Sequence, residues 1–236
     1  MNNGTCASFV LTDGHPFYCP SKFTATQATY SRLVTNDWGT IVLPFKYQQA
    51  SNATVSFYHL KEVTGTDTSK QLVLIPINPD EDGNASAYTP VFFKRASESV
   101  NEITVTGNNV KVKASTEPMS RTTGSWTLKG AMTETLKIDV TTDAWAGKNV
   151  YYISNNQFWH ATGKVNIKPF RAYLESAESE SSAIGLMVDD GETTGSPSLT
   201  LPQGEGSWYT LDGRLLNGRP TAKGIYIHNG RKEVVR

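Results

Sequence analysis

At 236 residues the chain can hold one large β domain, or a medium domain with a small companion. Lys+Arg and Asp+Glu balance at 22 each, so the summed charge excludes long-range attraction to nucleic acid or an anionic membrane and leaves any ligand to local contacts. Only 19% of residues are charged while Thr, Ser, Asn and aromatics abound, a composition of strands and turns.

The start, MNNGTCASFVL, lacks the basic residues and apolar run of a signal peptide, and no later stretch is apolar for long enough to span a bilayer. The expectation is a soluble piece whose leader or upstream modules precede Met1. Cys6 and Cys19 are close enough in sequence for a disulfide in an oxidising compartment. Two unpaired, partly buried thiols is the favoured reading, because one pair in a chain this long is no disulfide framework. Residues up to about 23 read as an extended segment, and Thr24 to Tyr30 is the one place where a short helix could form.

Strands follow. Thr40 to Phe45 (TIVLPF), Ala53 to Tyr58 (ATVSFY) and Gln71 to Ile77 (QLVLIPI) are short β-branched or aromatic runs between turn-prone segments. QLVLIPI suits a strand covered on both faces, with Pro76 predicting an edge or a bulge at its end. Val110 and Val112 alternate with Lys111 and Lys113, and Leu136, Ile138 and Val140 with Lys137 and Asp139, as in half-wet antiparallel strands. Val150 to Ile153 and Gln157 to His160 predict a hairpin across Asn155-Asn156. Ala183 to Val188 predicts a last strand of the main domain, between the polar stretches SAESESS and ETTGSPS. Beyond them, Asp212-Gly213 and Asn229-Gly230 each sit between short apolar runs and predict two hairpins, a small terminal β module.

In that tail, WYTLDGRLLNGRPTAKGIYIHNGRKEVVR, the residues Tyr209, Leu211, Gly213, Arg214, Lys223, Gly224, Ile225, Tyr226, Asn229, Gly230 and Val234 follow a Tyr-x-Leu-x-Gly-Arg turn, a Lys-Gly-Ile-Tyr strand and a basic hairpin. This pattern resembles the C-terminal sorting domains of Bacteroidetes type IX secretion. WGTIVLPF (38–45), PFRAYLE (169–175) and DDGETTG (189–195) are similar to β domains of Bacteroidales surface proteins described as putative adhesins. The resemblance implies a secreted or cell-surface, non-enzymatic module, located outside the cell or on the outer-membrane surface, with an export or attachment tail, and it brings no catalytic residue.

For chemistry, the four histidines, His15, His59, His160 and His228, have no metal-ligand spacing and read as structural or surface groups. No nucleophile elbow, phosphate loop or dinucleotide fingerprint occurs. Asn78, Asp80, Asp82 and Gly83 match the opening of an EF-hand calcium loop, but Thr89 stands where the bidentate glutamate belongs, and a solvated turn competes with a weak calcium site. No other cofactor is implied. Trp126, Trp145, Trp159 and Tyr88 lie beside glycine, asparagine or threonine, where a flat ring could stack on a sugar while amides bond its hydroxyls; the competing reading is that these rings plug the core.

The fold expected is therefore all-β: an antiparallel β-sandwich, Ig-like or jelly-roll-like, over residues 1–192 with an extended N-terminal segment, then a small β module over 193–236. The function expected is non-enzymatic binding of a glycan or a surface protein, with a structural spacer and a cryptic glycoside hydrolase as alternatives.

Overall fold

The computed structural model describes residues 4–48, 54–77, 84–115, 118–178, 180–189, 208–209, 215–216, 220, 223–228 and 231–235. Among them all regular structure is strand, apart from one 3-10 turn at Asp143–Trp145. By internal contacts the chain divides into two compact units, Met1–Gly191 and Glu192–Arg236.

In the first unit, β1 (Gly4–Thr12) runs parallel to β2 (Phe23–Leu33), which pairs antiparallel with β9 (Glu102–Val112). The extended N-terminal segment forms an edge strand, and one expectation is corrected: Thr24 to Tyr30 is strand, not helix. The correction has a local cause. The inward face changes parity within all three strands, from Cys6 to Phe9 in β1, from Ala25 to Ala28 in β2 and from Gly107 to Val110 in β9. The row where this happens, Ala7, Thr26 and Asn109, is skipped in both registers, and Asn109 has φ +52. Inward residues three apart imitate a helical period.

The main sheet has ten strands. Its order is β10 (Ser120–Thr123), β11 (Trp126–Ala131), β16 (Arg171–Ser176), β13 (Asn149–Ser154), β14 (Gln157–His160), β17 (Ala183–Val188), β6 (Gln71–Pro76), β5 (Val55–Thr64), β8 (Val91–Arg95) and β3 (Trp38–Ile41). Its pairs are antiparallel except β17–β6, which is parallel. One buried cluster joins Trp126 and Leu128 near one edge to Leu60 and Phe92 near the other, which requires the sheet to curl. The result is a half-barrel. Side chains draw its ends together: Thr40 Oγ1 donates to Ala172 O at 2.9 Å and accepts from Ala172 N at 2.9 Å, and Thr123 Oγ1 donates to Leu60 O at 3.2 Å.

The other face carries two further clusters. The three-stranded sheet packs Ala28, Tyr30, Val105 and Val112 against Ile41, Phe57 and Phe93 of the half-barrel. A small antiparallel pair, β12 (Leu136–Asp139) with β15 (Lys164–Ile167), packs Ile138 and Ile167 against Val150 and Tyr173. A second short pair, β4 (Tyr47–Gln48) with β7 (Asn84–Ala85), completes the unit. The all-β expectation holds; where two antiparallel sheets were expected, a curled sheet and smaller sheets form, with two parallel pairs.

Particular expectations meet particular outcomes. Asn155 and Asn156 have φ +50 and +62 and join Ser154 to Gln157, the hairpin that needs left-handed residues at both turn positions. QLVLIPI lies between β17 and β5 and is buried at Leu72, Val73 and Leu74. Pro76 ends this interior strand beyond the stretch paired with β17, and the irregularity falls on the neighbour, between Leu60 and Glu62. Cys6 and Cys19 are both free thiols.

In the second unit, β18 (Trp208–Tyr209), β19 (Leu215–Leu216), β20 (Gly224–His228) and β21 (Arg231–Val235) form an antiparallel sheet ordered β19-β18-β20-β21. Trp208 stacks on His228, centroids 4.3 Å apart and planes 10° from parallel. The dipeptides Asp212-Gly213 and Asn229-Gly230 lie outside the described residues.

Candidate ligand-binding site

The four rings singled out in the sequence go to different environments. Trp126 is 2% exposed, against Tyr151 and under the Lys70 ammonium, so it has no free face for a ligand. Tyr88 is 2% exposed and its hydroxyl donates to Lys113 O at 2.7 Å, a structural tether. Both are core rings, which corrects the stacking role. The sequence misplaced them because neighbouring glycine and threonine mark strand ends whether the ring turns in or out. Trp159 is 38% exposed, with Nε1 donating to Ser154 O at 2.9 Å to brace its own hairpin.

Trp145 is the ring set in a recess. It is half-buried at the end of the 3-10 turn, whose backbone closes through Trp145 N to Thr142 O at 3.0 Å and Lys148 N to Trp145 O at 3.1 Å. Gly147, at φ +72, takes the left-handed conformation that returns the chain to β13. Tyr173 meets the indole edge-on at 6.2 Å, and the exposed Lys148 ammonium lies 5.4 Å from its centroid.

A recess of about 570 Å³ opens there, its walls including Trp145, Lys148, Asn149, His160, Thr162 and Glu180. Asn149, first residue of β13, donates Nδ2 to Glu178 O at 2.6 Å and turns Oδ1 toward His160 Nε2 at 3.0 Å. That orientation puts the proton on Nε2. His160 rests on Tyr151, centroids 5.2 Å apart. The recess thus combines an aromatic ring, an oriented amide, an imidazole, a hydroxyl, an ammonium and one carboxylate. Of these the sequence pointed only to Trp145, since Asn149, His160 and Glu180 are brought together by strand pairing and carry no motif.

Asn78, Asp80 and Asp82 lie outside the described residues, and among the described residues no three His, Cys, Asp or Glu side chains converge as a metal site. A cleft of about 860 Å³ elsewhere is walled by Lys22, Lys46, Lys111 and Lys113, with Tyr47, a buried core ring, as its aromatic. Comparison with protein-family models, curated proteins and solved structures finds no match.

Proposed function

We propose that the chain is a non-enzymatic module of a secreted or cell-surface protein that binds a saccharide in the Trp145 recess. The observation that carries this reading is a half-buried indole beside an amide held from both ends, in a concavity large enough for one or two sugar rings. Apolar sugar faces stack on indole, and the fixed amide, imidazole and hydroxyl meet the hydroxyls around the ring edge. Lys148 is exposed and rotamer-rich, so a ligand displaces it from the indole at small cost.

Glycoside hydrolysis uses two carboxylates about 5 to 9.5 Å apart, whereas among the described residues the recess lining holds one, Glu180. The cluster shared by the three-stranded sheet and the β3–β5–β8 end of the half-barrel supports reading that end as a two-layer sandwich scaffold. The terminal module we read as an export or attachment element, on its resemblance to sorting domains.

The test is a glycan array followed by calorimetry on wild type and Trp145→Ala. Stacking rings of this kind contribute about 1 to 2 kcal/mol, so Trp145→Ala should weaken the best hit roughly tenfold; because the indole also packs on Tyr173 and its cluster, the thermal midpoint should drop, with the chain still folded at the titration temperature. Unaltered affinity in the variant would remove this recess from the reading. No hit on any array would favour the spacer.

A further inference from the structure

We propose that a second recess, built around Arg32, binds a carboxylated monosaccharide unit of the uronic acid type, independently of the Trp145 recess. This recess measures about 300 Å³ and lies where the end of β2, the segment leading into β3, β15 and the start of β16 meet. Arg32, Arg171, Trp38, Tyr152, Asn166 and Lys168 are among its walls, and among the described residues none of its walls is acidic.

The argument begins with charge. Arg171 forks onto Asp13, Nη1 to Oδ1 at 2.7 Å and Nη2 to Oδ2 at 2.8 Å. Tyr30, fully buried, donates its hydroxyl to the same Oδ1 at 2.5 Å and accepts from Arg171 Nη1 at 2.9 Å. Asp13 is therefore already committed. Arg32 sits beside this group with no carboxylate of its own among the described residues: Nη1 donates to Thr40 O at 2.9 Å and the guanidinium lies 4.8 Å from the Phe93 centroid. Two guanidiniums share one carboxylate, and Lys168 adds a third cation at the rim. Burial and the nearness of Arg171 hold Arg32 down at about 10, the mark of an under-compensated cation. An anion in the recess would supply the missing charge and accept from the guanidinium donors that Thr40 O and the Tyr30 hydroxyl leave over.

Space for Arg32 is built into the backbone. A Cβ on Gly39 would stand 2.5 Å from the Phe93 ring and 2.8 Å from Arg32 Nη2, so only glycine leaves the guanidinium where it is. The choice of a sugar acid over a bare anion rests on the other walls. Tyr152 is a half-buried ring and Asn166 presents an amide, groups suited to a hydroxylated ring carrying the carboxylate; Trp38 also borders the recess, but its indole packs on Tyr58, centroids 5.0 Å apart, with the Lys94 ammonium 5.5 Å from its centroid. A volume near 300 Å³ is at the small end of ligand sites and matches one ring.

Sodium glucuronate, glucose and sodium acetate are the probes, each titrated into the 15N-labelled chain. Glucuronate should shift the backbone amides of Trp38, Tyr152 and Asn166 saturably, glucose should not, and acetate should bind at least tenfold more weakly. Lys168→Ala, a rim change that spares the buried network, should weaken glucuronate several-fold. Arg32→Lys, which keeps the charge and loses the fork, should weaken it at least tenfold with the spectrum otherwise folded. Trp145→Ala should leave this titration unchanged, which separates the two recesses. Equal binding of acetate and glucuronate, equal effects of glucose and glucuronate, or shifts remote from Trp38 would each overturn the proposal.

Discussion

Asp13 feels opposed influences. Burial pushes its carboxyl up, but the hydrogen bonds from Arg171 and Tyr30, with the charges of Arg171 and Arg32, more than offset this and hold it below the ordinary 3.8. The folded chain therefore binds fewer protons than the unfolded one as the pH falls past that value. The stabilisation is complete above the unfolded carboxyl's pKa and is lost as pH drops through the folded one. Urea midpoints measured from pH 6 to pH 2 should fall steeply below about pH 4 in wild type. Asp13→Asn should start lower at pH 6, because Arg171 then lacks its counter-charge, and should show a shallower acid limb. Parallel limbs in the two proteins would mean that other carboxylates govern acid unfolding.

At the scale of elements, the three-stranded sheet turns on one skipped row. Asn109 supplies the left-handed residue there, a conformation asparagine tolerates better than most. Two residues away, a Cβ on Gly107 would lie 2.5 Å from Lys46 O, a backbone atom that cannot swing aside. Gly107→Ala must push β9 away from that backbone, and about 1 to 3 kcal/mol of stability should go with it. Denaturant titration reads the loss; a change under 0.5 kcal/mol would show that the two backbones part easily. The same parity change gives Thr24 to Tyr30 its helical look in the sequence, for Ala25 and Ala28 point inward at a spacing that belongs to helices.

For the first unit as a whole, the curl of the half-barrel is what places the Arg32 recess. It brings β3 against β16, where Thr40, fully buried, exchanges two hydrogen bonds with the Ala172 backbone. Thr40→Val keeps shape and burial but strands those polar groups, which should cost about 1 to 3 kcal/mol. Because Ala172 follows Arg171, the variant should also broaden or shift the Trp38 indole signal. An unchanged denaturation midpoint would show that the edges are held by packing of Leu60, Phe92 and Trp126 alone.

Local pattern was enough to make the class legible. Alternation at Val110/Val112 and Leu136/Ile138, the continuous apolar run at residues 72–74 and the Asn155-Asn156 turn each depend on neighbours in the chain, so strands and that hairpin could be read directly. Which strands pair, and in which direction, depends on loop closures that no local pattern encodes; hence the parallel β1–β2 and β17–β6 pairs and the curl were decided only in three dimensions. The site divides the same way. An indole beside Gly147 was visible at Trp145, but whether such a ring faces a recess or the core, as at Trp126, is settled by burial against distant strands. Arg32 and Arg171 are far apart in sequence, and the charge of Asp13 acts on both only because the folded sheets bring the three near one another.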